Sequence, residues 1–230
     1  MAKKSERSEK GRGAVSRERI LAAARKVFAR HPYGSASMRE IGKEGGFDHP
    51  LIHYYFPNKA SLFEAVLLDI IEELYQANKQ WFEGLTGSDI AGDLSIHLDR
   101  LLEYDLMNPE PLKIIFMNMA ALYRRDTVPG LSYIPLIIAG TKQNFLEQLP
   151  MKASPEELSA MNHTFASSVI WYLGANHCHG TVLGIDPTSR QYREWVKKAL
   201  TSAFMPWLEK VVPDSPAPGE NGGRAAAATA

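Results

Sequence analysis

The chain has 230 residues, 45% of them apolar, enough to bury the core of one large domain or two small ones. Twenty-six Lys and Arg balance 26 Asp and Glu, and the single cysteine, Cys178, excludes an intramolecular disulfide and a four-cysteine zinc site. No apolar run approaches the ~20 residues of a membrane span, and the opening MAKKSERSEKGRG is charged with no apolar stretch behind it, unlike a signal peptide; the expectation is a soluble cytoplasmic protein without a membrane partner.

The zero net charge hides an asymmetry. Residues 1–59 hold 13 Lys/Arg against 6 Asp/Glu, and residues 60–230 hold 13 against 20. A basic N-terminal piece joined to a larger acidic one predicts that the first part meets a polyanion. Part of that surplus, Lys3, Lys4, Arg7, Lys10 and Arg12, lies in a stretch too polar to pack. Residues 1–14 therefore read as a disordered basic arm, and the Pro/Gly/Ala-rich residues 213–230 as a disordered tail.

Between the ends the periodicity is helical. Ser16 caps a predicted helix carrying Ile20, Ala24, Val27 and Phe28 on one face, ended by His31-Pro32-Tyr33-Gly34. Ser37-Met38-Arg39-Glu40 is a capping box, and Gly45-Gly46 stops the short helix it opens. Asp48 is placed to cap a third short helix with Pro50 in its first turn, and Pro57-Asn58 breaks the chain again. A long helix follows with Leu62, Phe63, Val66, Leu67, Ile70, Ile71 and Leu74 on one stripe. Further helices are predicted near 89–107, 110–125 and 132–149. Another runs from the capping box Ser154-Pro155-Glu156-Glu157 to about His179, and a last one from Asp186-Pro187 through Trp207. Nothing alternates with period two, so the fold class is all-α: a three-helix head over 15–60 and a larger helical bundle over 61–212.

Three short helices, the second and third joined by a glycine-containing turn, form the pattern of a helix-turn-helix. The third is too short to add much core, so its task is to present side chains to a major groove while the second crosses the backbone. The segment from Ser16 to Leu67 resembles the DNA-binding domain of the tetracycline-repressor (TetR) family of bacterial regulators. Its signature falls on Phe28, Gly34, Ser37, Ile41-Gly42, Gly46-Phe47-Asp48, Tyr55-Phe56, Lys59 and Leu62. The resemblance implies that Ser37 and Arg39 contact phosphates and bases, that His49, Pro50 and Leu51 read bases, and that His53, Tyr54 and Lys59 grip phosphates. Two positions depart from the pattern. Leu51 stands where a small or hydroxyl residue is common, which points to apolar contact with a thymine methyl. His53 replaces the usual tyrosine, which makes its backbone contact sensitive to pH. Tyr55 fits either core packing or DNA contact.

The resemblance further implies a homodimeric repressor, bacterial and nucleoid-associated, bound to a palindromic operator in double-stranded DNA. A small apolar effector in the helical C-terminal domain releases it, and the long helices over 155–179 and 188–210 form the dimer interface. The effector is expected among 89–107, 110–125 and 155–179, against Phe116, Met119, Tyr123, His163, Tyr172 and Asn176, with Asn118 a further polar anchor. The alternative is a DNA-binding protein whose C-terminal part is a protein-interaction module without an effector. His49 and His53 have the i, i+4 spacing of a metal pair, but no cysteine pair or HExxH glutamate accompanies them, so no metal is expected. The run Asn176-His177-Cys178-His179 fits a Cys/His site less well than a buried cysteine among satisfied histidines, because successive helical residues point about 100° apart. No phosphate-cradling loop, nucleotide fingerprint or carboxylate pair suggests an enzyme, and no cofactor is expected.

Overall fold

The computed structural model describes residues 17–119, 128–130, 133, 135, 138, 139 and 151–212. The regular structure among them is helical. The head consists of α1 (residues 17–28), α2 (Met38–Gly45) and α3 (His49–Tyr55). The body consists of α4 (Lys59–Phe82), α5 (Ile90–Met107), α6 (Glu110–Met119), α7 (Pro155–Gly174), α8 (Asn176–Leu183) and α9 (Arg190–Val211). The Ser16 cap, the tail residues, the end of the helix predicted to 125, and nearly all of 132–149 lie outside the described residues.

The capping boxes form as the sequence predicts. Ser37 Oγ accepts from the Glu40 amide while Glu40 returns a carboxylate oxygen to the Ser37 N–H at 2.9 Å. Ser154 and Glu157 repeat the arrangement at the start of α7. Asn58 and Ser61 make a third such reciprocal pair at α4. Asp48 occupies the N-cap of α3 but makes no side-chain cap bond, contrary to the expectation. The reason is local: Pro50 removes one amide from the first turn, and the Leu51 N–H is already taken by the Asp48 carbonyl at 3.1 Å.

The helix predicted through 155–179 divides in two at Ala175 (φ −103°, ψ 24°). Gly174 explains the site of the break. A Cβ there would lie 2.6 Å from Phe116 Cβ and 2.7 Å from the Leu112 carbonyl, so α6 and α7 approach at a point only glycine permits. The last helix starts later than Asp186. The Asp186 carboxylate accepts from the Thr188 amide and hydroxyl, a local turn that competes with helix, and Ser189 caps α9 by accepting from the Tyr192 N–H.

One core runs through head and body. In α1, Ile20, Ala24, Val27 and Phe28 are buried, and Phe28 meets Phe63 of α4 edge-on at 4.7 Å. The stripe of α4 is buried at Leu62, Phe63, Val66, Leu67, Ile70 and Leu74. Below it α5 packs between α4 and α9, and α6 lies on α7. In α9 the buried residues Tyr192, Val196, Leu200, Phe204 and Leu208 recur every fourth position, the period of one face of a helix.

Candidate nucleic-acid interface and internal cavity

The turn between α2 and α3 is fixed by two glycines. Gly46 closes α2 in the left-handed conformation (φ 67°), and a Cβ on Gly42 would meet the Phe47 carbonyl at 2.9 Å. Ile52 anchors α3 in the core with no exposed surface. That anchor turns the rest of the helix outward. His49, Pro50, Leu51, His53 and Tyr54 are all exposed, Tyr54 by 80%. Tyr55 is half-buried against the core and Phe56 is buried.

The two histidines of this face are joined. His53 Nδ1 donates to the Pro57 carbonyl at 2.9 Å when the ring is neutral, which leaves its Nε2 to accept from His49 Nε2 at 3.1 Å. Among the described residues no group of three or more His, Cys, Asp or Glu is placed to hold a metal ion.

Most cations of the head have partners inside the protein. Arg25 pairs with Asp69 at 3.2 Å and with Glu73 at 2.6 Å, while Lys26 and Arg30 converge on Glu44. Arg17 and Arg19 lie over the rings of Phe56 and Phe47. Lys59 and Ser37 are the two residues assigned to DNA that are half-buried rather than exposed. The Lys59 Nζ donates to the carbonyls of Tyr33 (2.7 Å) and Ala36 (2.9 Å) and sits over the Tyr33 ring. Two of its three N–H bonds are thus occupied, and one remains to meet a phosphate. Arg39, by contrast, is exposed, and no hydrogen bond or ion pair holds it among the described residues. Ser37 is turned inward upon Glu40, whose carboxylate is held below its ordinary range by the Ser37 hydroxyl and amide. The amides at the third position of α2 and of α4 are consequently spoken for, leaving only those of the first two positions to an outside phosphate.

The body holds a partly open cavity of about 130 Å³ between α4, α5, α6, α7 and α9. Leu74, Phe82, Leu94, Ile115, Phe165 and Phe204 represent its apolar wall. It lies deeper than the sequence placed it. Phe116, Met119, His163, Tyr172 and Asn176 are not in its lining, and Tyr123 lies outside the described residues. Phe116 packs on Trp171, His163 is exposed, and Tyr172 stacks edge-on against Trp195. Asn118 is a strap rather than an anchor for a ligand: it accepts from the Tyr33 N–H at 2.9 Å and donates to the Ile114 carbonyl at 2.8 Å, binding α6 to the head. Sequence reasoning followed the methionines and aromatics of α6, whereas the outward turn of that face is set by the close approach at Gly174.

The residues that sequence reasoning missed are His97, Tyr104 and Glu73. Burial pushes the His97 imidazole down to about 4, so the ring is neutral, and a hydrogen bond joins it to the Trp81 carbonyl. Tyr104, on the cavity wall, donates to Glu73 Oε1 at 2.6 Å, and Glu73 Oε2 receives Arg25 of α1. A continuous chain of hydrogen bonds therefore links the cavity to the head. Burial, then the Glu73 carboxylate, drives the Tyr104 phenol upward, so it stays a donor. The run 176–179 does not converge: Asn176 is buried, His177 and Cys178 are exposed, and His179 packs on Trp171 and Tyr172.

Residues 20–66 match the family described as bacterial regulatory proteins, tetR family. Over 102 residues the chain is 31% identical to an HTH-type transcriptional repressor of Streptomyces coelicolor, spanning 44% of this chain and 48% of that protein. Over 115 residues it is 25% identical to the HTH-type transcriptional regulator YdgC of Bacillus subtilis, covering 49% and 59%. The matches thus span about half the length of these relatives, which are named as regulators and not as enzymes. Among solved structures, a TetR-family transcriptional regulator from Agrobacterium tumefaciens aligns with TM-score 0.60 at 17% identity over 87% of this chain and 100% of that one. A tetR-family regulator from Streptomyces coelicolor aligns with TM-score 0.57 at 17% identity over 86% and 85%. These similarities extend the shared fold beyond the head to the helical body.

Proposed function

Because the chain belongs to the tetR family of bacterial regulators through its helix-turn-helix, we propose that it is a homodimeric transcriptional repressor released from a palindromic operator by a small apolar effector. The exposed face of α3 enters the major groove, where His49, Pro50 and Leu51 meet base edges and His53 and Tyr54 meet the backbone. Arg39 approaches from α2, and Ser37 and Lys59 flank the phosphates. The effector occupies the cavity under α4, and α7 and α9 carry the dimer contact.

The observation that carries the reading is α3 itself. A seven-residue helix anchored by one buried isoleucine displays Leu51 and an 80%-exposed Tyr54 to solvent, a costly surface unless something covers it. The apolar cavity favours a small effector over an interaction module without one. Selection of bound fragments from a random DNA pool tests the proposal. It should recover an inverted repeat whose half-sites lie about one helical turn, roughly 34 Å, apart or a multiple of that. Recovery of no enriched sequence, or of an unsymmetrical one, refutes it.

A further inference from the structure

Among the described residues the cavity wall is almost entirely apolar, and most of its polar members are engaged, Asn78 among them. Asp93 accepts from the amides of Thr86 (3.1 Å) and Gly87 (2.7 Å). The Tyr104 hydroxyl is committed to Glu73, and Asn162 Nδ2 donates to the Ile138 carbonyl at 2.7 Å. Among the described residues no lysine or arginine lines the space. His97 is the exception. It lines the cavity, is 5% exposed, and its Nδ1 has no hydrogen-bond partner. The rings of Phe82 (4.4 Å), Phe165 (5.8 Å) and Trp81 (6.1 Å) surround it.

A neutral imidazole has one N–H, and the Trp81 carbonyl takes it. What remains at Nδ1 is a lone pair, desolvated and uncompensated, that accepts one hydrogen bond. A water molecule is a poor occupant, because a buried water needs two to four polar partners and the imidazole is packed among three aromatic rings. Among the described lining residues an anion finds no counter-charge, and a cation only an already satisfied Asp93. We propose that the cavity takes a neutral, mostly apolar molecule bearing one hydroxyl or amide N–H, which donates to His97 Nδ1. The inference rests on the effector reading above and names the chemical class of the ligand. A volume of about 130 Å³ is on the scale of a single small ring, slightly below the dry cavity of about 150 Å³ that accommodates benzene.

The test uses two isomers of equal size, benzyl alcohol, which has a donor, and anisole, which has none. Their dissociation constants are measured calorimetrically with the full-length protein and with His97→Phe. The preference for the alcohol, as a ratio of the two constants, should fall roughly tenfold in the variant, the worth of one net hydrogen bond. Comparing ratios cancels the different hydration of the two isomers. Equal ratios in the two proteins overturn the donor inference and leave the cavity standing. Binding of neither isomer overturns the effector reading with it. A second measurement needs no variant: in ¹⁵N spectra of histidine-labelled protein, the unprotonated Nδ1 resonance of His97 should move upfield with benzyl alcohol and stay in place with anisole. A resonance indifferent to both overturns the proposal.

Discussion

A buried histidine and a half-buried aspartate with opposite perturbations make the pH dependence of stability a sharp test. His97 is pushed down to about 4 by burial, against the weaker upward pull of the Trp81 carbonyl. The unfolded chain binds this proton near 6.5 and the folded protein resists it, so His97 subtracts stability as pH falls from 6.5 towards 4. The gap corresponds to about 3 kcal/mol, fully lost below the folded value. Asp105 is pushed up to about 7 by burial, opposed by Lys113 and Arg193. Its folded form prefers the proton, so the stability it contributes is complete below the unfolded value of about 4 and is lost as pH rises through 7. That term amounts to at most about 4 kcal/mol, less to the extent that water reaches this half-buried carboxylate. Across pH 4–6.5 the two effects oppose each other, and their sum in the natural protein is small. Removing either group exposes the other. Urea unfolding of Asp105→Asn should show stability falling, relative to the natural protein, as pH is lowered from 7 to 4.5. The same measurement on His97→Phe should show relative stability rising. Stability curves that stay parallel to that of the natural protein would refute the assigned burial of the missing group.

The remaining predictions concern the links between head, body and DNA. Tyr104→Phe removes one donor from Glu73 and should cost about 1 kcal/mol in urea unfolding; it should also blunt DNA release by any bound effector in a fluorescence-anisotropy titration, and an unchanged response excludes this hydrogen-bond chain as the coupling route. Asn118→Ala leaves the Tyr33 N–H without an acceptor, so a loss of about 2 kcal/mol is expected, and a loss too small to measure contradicts the strap. Arg39→Ala should leave the melting temperature unchanged while narrowing the gap between operator and random DNA by about 1–3 kcal/mol. Lys59→Ala should instead lower the melting temperature through its two lost carbonyl bonds as well as reduce the salt slope of DNA binding by about 1; intact melting would mean those bonds contribute nothing.

The helices were readable because their signals are local. A capping serine three residues before a glutamate, or isoleucine and phenylalanine at steps of three and four, acts within one or two turns whatever the rest of the chain does. The exposed face of α3 was readable for the same reason, since seven residues with one central isoleucine have only one way to be anchored. What could not be read were relations across the fold. The pairing of Arg25 with Glu73, 48 positions apart, depends on where α1 crosses α4. The location of the cavity depends on how α6 packs on α7, including a close approach at Gly174, 50-odd residues downstream, that no local signal in α6 announces. His97 looked like one polar residue on a leucine-rich helix, and only the three rings gathered around it set it apart. The break at Ala175 was hidden because neither a proline nor a left-handed glycine marks it in the sequence.

The ammonium of Lys59 bears on how much freedom the head retains. By tying the first residue of α4 to the carbonyls of the 31–36 segment, it leaves α1, α2 and α3 no independent swing, so they must travel with the helix they crown. That helix has 24 residues, about 36 Å of rigid rod, and the cavity touches it at Leu74, Asn78, Trp81 and Phe82, near the opposite end. A tilt of about 5° imposed there would carry the Lys59 end sideways by about 3 Å. That is a large fraction of the spacing between successive base pairs, so on the proposed reading a ligand that displaces its own pocket wall by up to about 1 Å at Leu74 moves α3 out of step with a groove.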